Sequence, residues 1–391
     1  MTTILTTWEL GLAFGHVAHL APLARGLARR GVTTAIAARD VITASGVPDR
    51  PFSAILQAPV YSRAVPRLPT LTYAQVIADG GMADADHATA LVAAWLQLFD
   101  GVAPDGIATE HAPVSLLAAH VAGLRAVRTG YSWAAPPAVD PLPSLMPWLP
   151  DDAEARRAAG HVADAVVRTV CRRFGAPPLD GLVALLAGAP RLLGTWPEFD
   201  QFGTLAGETY YGPMSGLAAS ARPPWPSGPG PRVFVYLAGS HAGAVPLRDA
   251  LARLGWPTIW HGSSPPPAPL PPNVAFSVLP VDTPFVLAGA QLLAGRGGHA
   301  TACEALRHGC PQLVIPDTLE TTLGGWRLQR QKLARMLPEA PSAAETEAAL
   351  LALREPEVVA VTRAAADRYA TYDAERAEDM MAHDALAALR L

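Results

Sequence analysis

Residues 218–231 read Ala-Ala-Ser-Ala-Arg-Pro-Pro-Trp-Pro-Ser-Gly-Pro-Gly-Pro, a run that no helix and no sheet interior can absorb. Each proline removes a backbone donor and fixes its own φ, so the chain is extended and stiff here and reads as a linker. It splits a 391-residue chain into two parts, each long enough to bury a core of its own. The expected division is a first domain over 1–217, the linker over 218–231, a second domain over 232–362, and a helical segment over 363–391.

The same rhythm opens both parts. Thr3 to Thr7 is β-prone, Gly11 and Gly15 punctuate a loop, and Val17, Leu20, Leu23, Ala24 and Leu27 fall at helical spacing. Arg29 and Arg30 suit the last turn of that helix and Gly31 its cap, and Val32 to Ala37 supplies the next strand. A second unit follows, with a strand over 106–109, a helix over 113–121 and a strand over 126–129. After the linker, Val233 to Leu237 is an apolar strand that runs into Gly239-Ser240, and a helix from about Val245 to Leu254 is capped by Gly255. Further strands are expected at 258–260, 274–278, 291–294 and 312–315. Strands that alternate with helices mean parallel, doubly wound sheets, one in each part.

Charge and cysteine usage exclude several classes. A net charge of −4 argues against an extended surface for nucleic acid or an anionic membrane. No apolar run is long enough to cross a bilayer, and Glu9 interrupts the start before a secretory leader could form, so a cytoplasmic place is expected. Cys171, Cys303 and Cys310 are too few for a disulfide framework and lack zinc spacing; free thiols are expected, Cys303 as a small buried group on a helix, and no metal.

The segment Ala294 to Pro316 carries the most chemistry. A strand feeds Arg296-Gly297-Gly298, a helix with His299, Ala300, Thr301 and Glu304 follows, and Gly309-Cys310-Pro311 turns into the next strand. A helix N-terminus presents unpaired amides and the positive end of a dipole, which suits phosphate oxygens, and glycines let the backbone approach them. Glu304, one turn in, can accept from ribose hydroxyls.

Gly297, Gly298, Thr301, Glu304, Ala305, Leu306, Gly309 and Pro311 resemble the donor signature of the family 1 GT-B glycosyltransferases, the group of plant UDP-glycosyltransferases and bacterial antibiotic glycosyltransferases. The order of features also resembles that family, from Gly15-His16 through the linker to this motif. The resemblance implies an α/β chain with two Rossmann-like domains facing across a cleft, the acceptor in the first and a UDP- or dTDP-sugar in the second. It implies a co-substrate rather than a tightly bound cofactor, inverting transfer without a metal, a terminal helix that returns to the first domain, and a monomer or homodimer.

By the same resemblance, Thr301 and the amides around it hold the diphosphate, Glu304 the ribose, Gly239 and Ser240 the phosphates, and the backbone near Val278 and Leu279 the base. The chain departs from the pattern twice. Arg296 stands where the family has histidine, with His299 three residues on, and an arginine can clamp a diphosphate. Glu320-Thr321 replaces the Asp-Gln pair that contacts sugar hydroxyls, which leaves the sugar open.

Gly15-His16-Val17 followed by Pro22-Leu23-Ala24 resembles the segment whose histidine is the family's general base, and Pro104-Asp105 through Glu110 the strand that ends in its acidic partner. Removing a proton from an attacking oxygen near neutral pH suits a histidine. His16 and Glu110 are the expected dyad, with Glu110 one methylene longer than the family's aspartate. His19 is expected at a solvated position and Asp84, Asp86 and His87 on a solvated loop; Trp8, Glu9, His111 and Tyr131-Ser132-Trp133 could face the acceptor. A nucleotide-sugar epimerase and a silent binding relative remain alternatives.

Overall fold

The structure is a computed structural model that describes residues 2–11, 14–61, 70–214 and 221–391. It separates into two compact units: Met1–Leu217 with Asp373–Leu391, and Ala218–Tyr372. Part of the proline-rich run, residues 218–220, lies outside the described residues; the rest belongs to the second unit.

The first unit is built on a six-stranded parallel sheet of β1 (Thr3–Trp8), β2 (Thr33–Ala38), β3 (Ile55–Gln57), β4 (Gly106–Glu110), β5 (Ala126–Gly130) and β6 (Arg191–Leu193), in the order β3-β2-β1-β4-β5-β6. β1, β4 and β5 are buried almost throughout, as expected of central parallel strands covered by helices on both faces. The Gly15–Arg29 helix packs on this sheet, and the Ala374–Leu389 helix packs on the Gly15–Arg29 helix in turn. Their backbones approach closely at Gly26, where a Cβ would lie 2.5 Å from the Glu378 carbonyl. Arg25 and Arg29 pair with Glu378, and Arg29 also with Asp379 at 2.7 Å.

The second unit repeats the plan with β7 (Val233–Tyr236), β8 (Thr258–His261), β9 (Val274–Ser277), β10 (Leu292–Gly295), β11 (Gln312–Val314) and β12 (Ala334–Met336), all parallel, in the order β12-β11-β10-β7-β8-β9. Two six-stranded parallel sheets, each with flanking helices, make the two-domain α/β architecture known as the GT-B fold. Among the described residues no helix is long and apolar enough to cross a membrane.

The terminal segment expected as one helix over 363–391 is two. One helix ends at Asp367 and belongs to the second unit, and the next starts at Ala374 after Asp373, whose carboxylate accepts from the amides of Glu375 and Arg376. That N-cap ends the continuity that apolar spacing alone implied.

Candidate functional site

In an open parallel sheet, ligands bind outside the carboxyl ends of the strands where the strand order reverses, because the loops there leave in opposite directions. In the first unit that point lies between β1 and β4, whose last residues, Trp8 and Glu110, are register partners. His16, in the first turn of the Gly15–Arg29 helix, comes to the same place. Its Nδ1 lies 2.9 Å and 3.0 Å from the two carboxylate oxygens of Glu110, which is fully buried, while His16 is 7% exposed. A carboxylate can only accept, so Nδ1 carries the hydrogen and Nε2 presents a lone pair.

Two glycines make this pair possible. Gly11 has φ +82°, and a Cβ there would lie 2.0 Å from His16 Nε2. Gly130, at the end of β5 with φ +110°, would bring a Cβ to 3.1 Å from Glu110 Cγ; its bare backbone leaves room for the additional methylene of glutamate.

The surroundings are aromatic and titratable. Trp8 is fully buried, donates its indole N–H to the Leu10 carbonyl at 2.7 Å, and stacks on His16 with ring centroids 5.5 Å apart. The His111 ring lies 5.6 Å from that of His16 and stacks on Tyr73. Burial pushes its pKa well below the usual value, and the neighbouring His16 and Arg39 act in the same direction. Glu9 is buried and accepts from the Val114 and Ser115 amides at the N-terminus of the Pro113–Val121 helix. Burial outweighs those bonds and pushes its pKa up to about 8.

Several expectations need correction. His19 is not solvated: it is 8% exposed, packs 5.0 Å from the Tyr131 ring, and is pushed down to about 3, first by burial and then by His16. Asp84, Asp86 and His87 start a helix, with the Asp84 carboxylate accepting from the other two amides. Tyr131, Ser132 and Trp133 are buried, and Ser132 Oγ accepts from the Gln201 amide at 2.9 Å.

In the second unit the strand order reverses between β7 and β10. Gly239 and Ser240 lie beyond β7, and Arg296, Gly297 and Gly298 beyond β10, so the two loops singled out from the sequence flank one switch point. Gly297 has φ +88° with a Cβ position 2.9 Å from Val314 Cγ1, and Gly298 opens the His299–Arg307 helix without any side-chain cap. The first-turn amides of that helix, around His299, Ala300 and Thr301, have no intrahelical acceptors and face the carboxyl edge of the sheet. Arg296 stands half exposed beside them, its Nε 3.2 Å from Asp317 Oδ1. Beyond β9, Val278 and Leu279 are 71% and 64% exposed, well outside the core.

Four members of the expected set are engaged elsewhere. The Gly239 N–H donates to the Ser264 carbonyl, and a Cβ there would lie 1.7 Å from the Pro265 carbonyl; this glycine lets two loops meet, which withdraws its amide from phosphate. Ser240 donates its own amide to Ser264 Oγ at 3.2 Å. Thr321 is buried, its hydroxyl accepting from the Asp317 and Thr318 amides in a helix cap. Glu320, in the first turn of the same helix, is partly exposed. Glu304 turns along its own helix, 2.9 Å from His308 Nε2, with Arg307 at 3.9 Å. Cys303 is buried 3.5 Å from His299 Nε2.

One candidate was missed. Tyr236, the last residue of β7, is 41% exposed, lies 5.0 Å from the His261 ring, and neighbours Arg296, whose charge opposes the upward push of burial on its hydroxyl. A strand read as buried gave no reason to pick out its final side chain.

No protein-family model and no curated protein matches the chain. Solved structures do, over nearly the full length. The glycosyltransferase of kitacinnamycin is 19% identical with a TM-score of 0.66, covering 99% of this chain and 98% of its own. Glycosyltransferase VinC, solved in complex with DTDP, is 16% identical with a TM-score of 0.69, each chain covered in full. The spinosyn rhamnosyltransferase SpnG, complexed with spinosyn aglycone, is 16% identical with a TM-score of 0.63 over 96% of this chain and 98% of its own. At these identities the likeness is one of fold.

Proposed function

We propose that the chain is an inverting glycosyltransferase that moves a sugar from a dTDP- or UDP-sugar, held by the second unit, to an acceptor held by the first. The observation that carries this reading is the His16–Glu110 pair at the switch point of the first sheet, its Nδ1 anchored on a buried carboxylate. In the transfer, Nε2 takes the proton of the acceptor hydroxyl as its oxygen forms a bond to the anomeric carbon. The bond from that carbon to the diphosphate oxygen breaks on the opposite face, and the electron pair leaves with the nucleotide. Glu110 stabilises the imidazolium that results and fixes its orientation.

The leaving diphosphate gains negative charge. The bare N-terminus of the His299–Arg307 helix and the Arg296 guanidinium supply fixed positive charge at one place, so the charge is balanced without a divalent ion. The complexes of VinC with DTDP and of SpnG with spinosyn aglycone support a nucleotide on one side of the reaction and an aglycone acceptor on the other. The exposed Val278 and Leu279 and the Tyr236 ring offer the base an apolar and aromatic surface.

The test is thermal stabilisation by dTDP, UDP, GDP and CMP, each with and without EDTA, beside an Arg296→Ala variant. One diphosphate should raise the melting temperature regardless of EDTA, and the variant should lose about tenfold in affinity. If none stabilises at millimolar concentration, the donor assignment falls.

A further inference from the structure

The proton transfer leaves one group beside His16 without a task. His111 follows Glu110 at the end of β4, is 4% exposed, and has no hydrogen-bond partner for either ring nitrogen among the described residues. Its ring lies between His16, at 5.6 Å, and Tyr73, at 5.7 Å. Its backbone is left-handed, φ 48°, held there as the Leu10 amide donates to its carbonyl at 3.0 Å. A buried polar atom without a partner costs free energy, and so does a left-handed residue with a β-carbon. An apolar ring would pack on Tyr73 without the first of these costs. Where both persist next to a reactive group, a ligand that supplies the missing hydrogen bond accounts for them.

We propose that His111 is a specificity-determining residue: its imidazole hydrogen-bonds a second oxygen of the acceptor, adjacent to the oxygen that His16 deprotonates, and so selects acceptors with vicinal oxygens. This rests on the acceptor reading above. Oxygens on neighbouring carbons lie about 2.8 Å apart and each reaches a nitrogen over about 2.8 Å, so such a pair can span two imidazoles at the observed spacing. A lone hydroxyl can engage only one of them. Burial keeps His111 neutral, so it offers one donor and one acceptor and takes a hydroxyl or a carbonyl.

The experiment uses two fluorescent coumarins as probes: 6,7-dihydroxy-4-methylcoumarin, a vicinal diol, and 7-hydroxy-4-methylcoumarin, which lacks the second hydroxyl. Their affinities for the full chain are read by equilibrium titration, and KM and kcat by transfer from dTDP-glucose. Wild type should bind the diol about tenfold tighter than the mono-ol, with the difference in KM rather than kcat. His111→Asn, which tolerates the left-handed backbone and keeps a donor and an acceptor, should retain a preference. His111→Phe should lose it. If the Phe variant does not fold, His111→Gly replaces it, since glycine is at ease at this φ. The proposal is overturned if wild type binds neither probe or does not discriminate, or if the variant without the imidazole keeps the preference. Stabilisation by dTDP, measured on the same samples, separates the two readings: its absence with the diol preference intact sinks the donor assignment alone, and its presence without the preference sinks this one.

Discussion

The two switch points share one topology and differ in almost everything else. At the first, His16, Glu110, His111, Trp8 and Glu9 are all buried, and the His16 imidazole lies against the Glu110 carboxylate and the rings of Trp8 and His111. At the second, Arg296 and Tyr236 stand exposed near a bare helix end, Val278 and Leu279 are exposed beyond β9, and glycines do the fitting. A group that must move a proton gains from being held in one orientation in a low-dielectric setting, while a surface that must admit and release a large anion gains from accessible amides and movable side chains. On the proposed function, the same scaffold carries a preorganised site and a docking platform.

Substitutions can break that contrast. His16→Ala should produce the largest effect, lowering kcat about 10³-fold while dTDP still stabilises the protein, because only the first site loses its chemistry; a parallel loss of nucleotide binding would mean that the two sites do not divide the work in this way. Glu110→Gln keeps the shape but removes the charge that steadies the imidazolium, and kcat should fall about 10²-fold, as steady-state kinetics would record. Gly239→Ala forces a β-carbon into the Pro265 carbonyl and should cost about 2 kcal/mol, seen as a lower melting temperature with little change in kcat for the molecules that remain folded.

A further expected effect concerns pH. Glu9 holds its proton up to about pH 8 in the folded state but only to 4.5 when unfolded, so between those values the folded state binds more protons and stability falls as pH rises, by at most about 1.4 kcal/mol per unit. His19, pushed down to about 3 from 6.5, acts in the other direction: the unfolded state binds more protons between those values, and stability falls as pH drops through them. Denaturant melts across pH should show the alkaline slope flattened in Glu9→Gln and the acid slope reduced in His19→Gln; unchanged slopes would mean that neither group is as buried as the structure has it.

Much of this was legible in the sequence. The central strands and the 113–121 helix could be traced because each carries a run of apolar residues between glycine or proline signals. β3, β6 and β12 could not: each has three residues and lies at a sheet edge, too short for any periodicity to register. The motif Gly297-Gly298 and the pair His16 and Glu110 stood out because their chemistry depends on residue type and local spacing. Burial was hidden, because it is decided by distant chain. Nothing around Glu9 says that it will reach the amides of Val114 and Ser115, nor around His19 that Tyr131 will cover it. For the same reason Glu304 and Thr321 were read from position as facing a ligand, although the nearest partners of each lie within one turn of its own helix.

Gly130 has an evolutionary consequence. Its φ of +110° strains any residue with a β-carbon, and Glu110 Cγ packs 3.1 Å from where one would sit. Shortening the carboxylate to aspartate would leave that space empty, and no side chain at position 130 could refill it without first reshaping the end of β5. Single substitutions that lead away from this pair pass through a worse protein, so the longer acid works as a ratchet, and a laboratory lineage selected for new acceptors should change the residues around His111 long before it changes Glu110.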